Sequence, residues 1–489
     1  VVSAVAFALG SPTPVLAQPS EVDVLKDEIR KLQQRLERLE RVPAPPPPAV
    51  APGRPAAPVA IQPPPPGDRE IRLDREHILE TVGLPKPEVG GVKISGFFVG
   101  SASYNSHAQL LPEFAGGAPT LADPGSLNFR YDKFGLGVAK TFAPWLSAHA
   151  AIEVESHRDR HSHLITPGEA DRRGCPLGIA CERFGAEAAE TEAVLDKFGV
   201  TVVAPLGNGL ALSLGRFDVP FGIERHDEPL LLTATTSEVF RFGRPQRMTG
   251  LQAAYQVAPW LDVTTWVVNR WESETTHDPF DDNNREKSFG GRLGFTPMAR
   301  ASLLNFGIGA FFGPEQTDRS SAQRWVVDAD VTWTPIPRLL LAGELVYGEE
   351  ENFAHREVGV PIAMDASEGH RRWLGFYVLS HYDVVDWMGL SFRYGYFDDM
   401  DGGRTGVEQV LQSFTLAPIV HLSRLIPDLK PTGATYIRTR HPIHWVDLKL
   451  EYRLNLSDRN VFSDTRPGNA ILDAEDMSHQ LQLQLVVNF

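Results

Sequence analysis

His157, His161 and His163, with Asp159 among them, are a donor set that could hold a transition metal from one loop. A histidine-rich hydrophilic loop is more often simply solvated, and no metal is expected there. Asp398-Asp399-Met400-Asp401-Gly402 opens like a calcium turn but lacks the remaining ligands and the distant glutamate, so it reads as an external turn. Cys175 and Cys181 are too few for a metal site; in an oxidising compartment they are expected to form a local disulfide. No Ser/His/Asp grouping, glycine-rich phosphate loop or paired-carboxylate motif stands out, so neither an enzyme nor a cofactor is expected. The richest pattern is one of charge. Asp447, Lys449, Glu451 and Arg453 occupy alternate positions, as do Asp328 and Asp330, with Arg393 similarly placed in a third segment. Ionisable side chains of both signs on one face suit a lined aqueous path that sorts solutes by size and charge without making bonds.

Those residues need strands to position them. Val446, Leu448, Leu450, Tyr452, Leu454 and Leu456 fill the intervening positions around the first group. Trp325, Val327, Ala329, Val331 and Trp333 alternate with the two aspartates, and Leu390, Phe392, Tyr394 and Tyr396 flank Arg393. A period of two sends alternate side chains to opposite faces of a sheet. One face wants hydrocarbon and the other wants water, which is the signature of a transmembrane β-barrel strand. Between Gly91 and Phe489 such segments recur, giving about sixteen strands, an even number as single-chain bacterial barrels require. Short joins such as Ala258-Pro259-Trp260 and Thr334-Pro335-Ile336-Pro337 read as periplasmic. Long polar joins such as 156–186 and 272–287 read as extracellular. Trp145, Trp260, Trp271 and Trp387 sit near strand ends, where an interfacial girdle would place them.

The chain ends on Leu481, Leu483, Leu485, Val487 and Phe489 alternating with Gln480, Gln482, Gln484 and Asn488; Val486 alone breaks the polar face. A terminal phenylalanine on such a strand resembles the signature read by the bacterial outer-membrane insertion machinery. Mean hydropathy is −0.19, and no apolar run approaches the roughly 18 residues of a membrane helix. A barrel escapes that test because only half of each strand meets lipid. The formal charge of −15 without a basic stripe argues against nucleic acid as a partner.

Ahead of the barrel, residues 1–17 read as the tail of a secretory signal, truncated at its start. Within 18–42, Val22, Leu25, Ile29, Leu32, Leu36 and Leu39 form an a/d heptad seam. Arg35-Leu36-Glu37-Arg38-Leu39-Glu40 resembles the Arg-h-x-x-h-Glu pattern of trimeric coiled coils, in which Arg35 and Glu40 would pair between chains; a dimer is the alternative. Pro43 ends the helix. Residues 43–67 form a proline-rich spacer, which at about 3.1 Å per residue spans about 70 Å. Residues 68–90 are a mixed connecting segment with a short helix expected over 68–81.

Several motifs then point to a family. Leu214-Gly215-Arg216-Phe217-Asp218-Val219-Pro220-Phe221-Gly222-Ile223-Glu224 is followed by Phe240-Arg241-Phe242-Gly243-Arg244 and Thr249-Gly250-Leu251-Gln252. Val268-Asn269-Arg270-Trp271, Phe289-Gly290-Gly291-Arg292-Leu293-Gly294-Phe295-Thr296-Pro297 and Phe312-Gly313-Pro314-Glu315-Gln316 come after them. In this order they resemble the OmpL-like β-barrel porins and the phosphate-selective porins. The resemblance implies that 218–247, after the Gly-Arg-Phe turn, folds toward the lumen and narrows it. Arg225, Arg241, Arg244 and Arg247 would then form an inward basic constriction favouring anions. The alternative is a solvated external loop. Lysine is absent from 198 to 286, so the lysine-rich ladder of the phosphate-selective relatives is missing and phosphate selectivity is not carried over.

The expectation is an all-β outer-membrane barrel in contact with lipid, assembled as a homotrimer, passing small hydrophilic solutes or ions. The N-terminal segment would lie in the periplasm. An alternative role is an anchor that tethers the outer membrane to the cell wall or a periplasmic partner. A peptide covering 18–45 should sediment as a trimer, and Leu32→Asp with Leu36→Asp should make it monomeric. A wild-type peptide that stays monomeric at millimolar concentration would rule out the seam.

Overall fold

The computed structural model describes residues 91–109, 125–159, 162–164, 182–184, 188–272, 282, 284–297, 304–316, 319–351, 369–405, 407–426, 443–463 and 474–489. The heptad segment, the proline spacer, 68–90 and the Cys175–Cys181 pair lie outside these residues, as do the side chains of His157, Asp159, His161 and His163.

Sixteen antiparallel strands close into one barrel. In chain order they are β1 (Val92–Asn105), β2 (Leu127–Ala143), β3 (Leu146–Asp159), β4 (Ala188–Ala204), β5 (Leu210–Asp218), β6 (Arg247–Ala258), β7 (Leu261–Val268) and β8 (Ser288–Phe295). There follow β9 (Leu304–Gln316), β10 (Arg319–Ile336), β11 (Leu339–Glu350), β12 (Arg371–Val385), β13 (Met388–Asp399), β14 (Gln409–His421), β15 (Val446–Ser457) and β16 (Met477–Asn488). Each pairs with its neighbours in sequence, and β16 closes on β1 from Phe97↔Asn488 to Asn105↔Gln480. Gly96 and Phe489 exchange backbone hydrogen bonds of 2.8 and 2.9 Å at the seam. Closure leaves no strand edge, the condition for a sheet to sit in hydrocarbon.

The alternation is realised on β16: Leu481, Leu483 and Phe489 are exposed outward, while Gln482 and Gln484 are buried inward. Val486, the break in the pattern, faces inward opposite Val99, and both are fully buried. An apolar pair thus stands inside at the one position where the sequence breaks the polar face.

Trp145, Trp260 and Trp387 stand exposed in or beside the short turns, all at the end that holds Phe489. Exposed rings gathered at one end of the strands fit the girdle reading. Trp271 departs from the girdle reading. It is buried in the barrel interior, edge-on to Phe311 at 5.6 Å and to Trp373 at 6.2 Å. Burial against other rings outweighs an interfacial position for a side chain this large. The Asp398–Gly402 stretch ends β13 and enters the turn after it at the long-loop end, with Gly402 at φ 66°. Asp399 is buried and accepts the amides of Arg404 (2.9 Å) and Thr405 (2.6 Å), so the turn's own backbone takes up this carboxylate.

Outward and inward positions should respond oppositely to charge. Leu483→Arg places a cation in the lipid and should cost about 2–4 kcal/mol near the bilayer midplane. Leu483→Phe should be close to neutral. Urea titration of the barrel folded into vesicles, followed by tryptophan fluorescence, measures both; equal stability of the two variants would contradict the orientation of β16.

Candidate functional site

β5 and β6 pair up to Asp218↔Arg247, and the 219–246 segment between them turns back into the barrel. Its composition explains why. Val219, Phe221, Leu231, Leu232, Val239, Phe240 and Phe242 are each under 5% exposed. Outside the barrel they would face water at roughly 25 cal/mol per Å² of apolar surface. Inside, Val219, Phe221, Leu232, Val239 and Phe242 join an apolar cluster with Phe217, Trp266, Trp271, Phe311, Val346, Trp373 and Phe397. Phe221 lies edge-on to Trp266 at 5.7 Å, and Phe242 packs on Phe397 at 5.7 Å. Trp373 Nε1 donates to the Gly243 carbonyl at 2.9 Å. Two glycines make the approach possible. A Cβ on Gly309 of β9 would come within 2.2 Å of the Phe221 ring, and Gly222 sits at φ 54° against the Glu344 carboxylate.

The segment holds only a short 3₁₀ turn (Glu228–Leu230) and a π-turn (Val239–Gly243), so much of its backbone lacks internal partners. Charged wall residues supply them. Lys449 Nζ donates to the carbonyls of Glu228 (2.8 Å), Leu231 (2.8 Å) and Thr233 (3.2 Å). Two residues along β15, Glu451 accepts the amides of Ala234 (2.7 Å) and Thr235 (3.2 Å) and the Thr235 hydroxyl (2.5 Å). Arg453 donates to the Thr236 carbonyl (2.7 Å) and pairs with Glu238. From β13, Arg393 pairs with Glu224 (2.7 Å) and donates to Thr233 Oγ1 (2.9 Å) and the Thr236 carbonyl (3.0 Å). Burial opposes ionisation of Glu238, but Arg453 and Arg393 outweigh it and hold that carboxyl below its ordinary value.

The other flank of the segment is tied to β2, β3 and β4. Lys133 lies 3.4 Å from both Glu153 and Glu228 and 3.2 Å from His226 Nδ1. Burial, reinforced by that ammonium, keeps the His226 imidazole well below its usual value and therefore neutral. Lys197 bridges Asp218 (3.1 Å) and Asp227 (2.7 Å). Glu153, Asp196 and Asp227 bring carboxylate oxygens within 4.8 Å of one another, and each is paired with a cation, Lys133, Arg247 and Lys197 respectively.

Asp328, Asp330, Arg393, Asp447, Lys449, Glu451 and Arg453 all face the interior, and all are buried rather than wet. The inward segment covers Arg393, Lys449, Glu451 and Arg453. Asp330 is held by Arg292 through two 2.9 Å hydrogen bonds, and Asp447 meets His421 at 2.7 Å. Asp328 lies near Glu344 and Arg244. The arginines expected to line a basic constriction are each engaged by neighbouring groups. Arg244 pairs with Glu344 at 2.5 Å, and Arg247 pairs with Asp196 and lies 3.9 Å from Glu153. Arg225 donates to the carbonyls of Phe221, Gly222 and Glu224, and Arg241 lies 4.9 Å over the Phe242 ring. In a low-dielectric interior an unmatched guanidinium is costly, so each cation found a partner.

Glu344, Lys133, Glu153 and Asp196 belong to the site, yet the sequence pattern did not single them out. One signal was present. On β12, Trp373, Tyr377 and Leu379 face inward while Leu374, Phe376 and Val378 face outward, so both faces are apolar. A strand of this kind announces an apolar occupant in the lumen.

No curated protein matches the chain in sequence. Among solved structures, the outer membrane channel DcaP of Acinetobacter baumannii is similar at 12% identity and a TM-score of 0.48, covering 83% of this chain and 99% of that one. The anion-selective porin from Comamonas acidovorans is similar at 11% identity and a TM-score of 0.47, covering 82% and 99%. The Salmonella typhi OmpF complex with daunomycin is similar at 11% identity and 0.48, covering 81% and 97%. The family model described as "Putative beta-barrel porin-2, OmpL-like" matches residues 182–486. That span is more than half of the chain, and the chain therefore belongs to the OmpL-like β-barrel porins, diffusion channels of the bacterial outer membrane.

Proposed function

We propose that small hydrophilic solutes or ions cross this porin passively along a path whose width is set by the 219–246 segment. The observation that carries this reading is the bracing of that segment by Arg393, Lys449, Glu451 and Arg453, which fixes an obstacle inside an otherwise closed barrel. The matched charges favour weak ion selectivity over the anion preference that unpaired arginines would impose. The a/d seam of 18–42 supports a homotrimer, with Leu25, Ile29, Leu32, Leu36 and Leu39 in its core and Arg35 and Glu40 across chains. The proline spacer supports a periplasmic N-terminal segment long enough to reach the cell wall or a periplasmic partner.

Planar-bilayer recording of the full-length protein tests the channel reading. Discrete conductance steps are expected, and a silent protein would favour an anchor with a filled lumen. Lys449→Met with Glu451→Gln leaves six hydrogen bonds to the segment broken or weakened. At about 0.5–1.5 kcal/mol net for each bond, the loss should loosen the segment, raising conductance and current noise. Unchanged conductance in this variant would show that the segment does not limit flux.

Removing cations probes the electrostatics separately. Arg241→Gln, Arg244→Gln and Arg247→Gln together leave Glu344 and Asp196 without their arginines. Reversal potential in a salt gradient should move toward cations, most strongly at low ionic strength where screening is weakest. Breaking one buried pair costs about 3–5 kcal/mol, so the triple variant should also unfold at lower urea. A wild-type reversal potential at low salt would show that permeating ions do not sense these groups.

A further inference from the structure

The turn from Met400 to Thr405 leaves β13 at the long-loop end and bends back onto the inward segment. Gly402 reverses the chain at φ 66°. Gly403 brings it so close to β12 that a Cβ there would lie 2.6 Å from Arg371 Cβ. Arg404 is thereby carried into the interior. Its Cζ stands 4.9 Å from the centre of the Trp271 ring and 5.2 Å from that of Trp373, two indoles set at 80° to each other. Its Nε donates to the Phe242 carbonyl at 2.7 Å.

Arg404 departs from the pairing found elsewhere in the interior. Arg216, Arg292, Arg324 and Arg393 each hold a carboxylate at 2.7–2.9 Å. Arg404 pairs with none among the described residues, and the three carboxylates that face it are engaged by other donors. Asp399 accepts the backbone amides of Arg404 (2.9 Å) and Thr405 (2.6 Å) and the Thr405 hydroxyl (2.8 Å). Glu350 takes Arg324 with both oxygens at 2.9 Å. Glu315 accepts the Trp271 amide (2.7 Å) and the Ser288 hydroxyl (2.5 Å). Arg324 also lies 5.0 Å over the Trp271 ring, so a second cation shares that indole. Burial, and after it Arg324, push the Arg404 guanidinium down to about 10, which leaves it charged at neutral pH.

We propose that the Nη1–Nη2 edge of Arg404 is a docking point for carboxylate-bearing solutes that enter from the long-loop end. This rests on the passive-channel reading and gives it a solute class. Nη1 and Nη2 make no hydrogen bond among the described residues. With Nε taken and the guanidinium plane set against two indoles, that edge is what this half-buried side chain has left to offer. Two parallel N–H donors match the two oxygens of a carboxylate, a charge-assisted geometry that a single-atom anion such as chloride cannot use. The ring contacts hold the plane beforehand, so binding costs little side-chain freedom. A bound carboxylate would supply the counter-charge that the other interior arginines draw from the barrel itself.

Full-length protein in detergent at low ionic strength should be titrated with succinate by calorimetry. The same protein in planar bilayers should show brief interruptions of the current when succinate is added. Arg404→Gln should weaken binding by about tenfold or more and remove the interruptions. Arg404→Lys keeps the charge without the fork and should also lose most of the affinity. Arg338→Gln, which breaks an exposed pair with Asp386, should leave binding unchanged. Acetate should displace succinate at lower concentration than chloride does. Heat-modifiable gel mobility reports whether each barrel is folded; if Arg404→Gln fails to fold, Arg404→Lys and the chloride competition decide. Wild-type protein that binds no succinate would overturn the docking point. So would binding that survives either substitution at Arg404, or chloride or phosphate competing better than acetate. Binding by a protein that carries no current would keep the docking point and remove the channel reading, and current without binding would do the reverse.

Discussion

The bonding of Lys449 and Glu451 to the backbone of residues 228–235 is the interaction on which the interior depends. A chain folded into a barrel without forming strands or long helices carries unpaired amides and carbonyls into a place with little water. Each costs about 1–3 kcal/mol if left unmade. One strand answers both needs by alternating signs, an ammonium for three carbonyls and a carboxylate for two amides and a hydroxyl. Arg393 and Arg453 extend the same device to residues 233–238. Charge on the lumen face is thereby structural before it is selective.

The apolar cluster around Phe221, Phe242, Trp373 and Phe397 explains why the segment enters at all. Hydrophobic burial is non-directional and cannot choose a register. Register comes from the polar contacts and from the glycines that admit large rings at single places, such as Gly309 beneath Phe221. The interior is thus organised like the core of a soluble protein, held inside a wall whose outer face meets lipid.

The same logic disposes of the charges. The formal charge of −15 and the arginines of 225–247 suggested a positive constriction set in an acidic protein. Burial changes that reading, because guanidinium groups removed from water recruit carboxylates from whichever strand faces them. Arg244 takes Glu344 from β11, and Arg247 takes Asp196 from β4. These partners are distant in sequence.

The barrel was legible in the sequence because its information is local. A period of two over eight or more residues decides which face meets lipid, and Leu481 through Phe489 carried that on their own. Strand number and the positions of the short turns followed from repeating the same reading from Val92 onward. The inward course of 219–246 was accessible only through resemblance, since an apolar loop pattern does not say what it will be buried against. Whether Lys449, Glu451 and Arg453 meet water or backbone depends on an element more than two hundred residues away. Trp271 could pass for an interfacial ring for the same reason. Alternation determined the side of the wall for each residue; only closure of the barrel decided what stood on the other side of the lumen, because that contact joins elements with no shared periodicity.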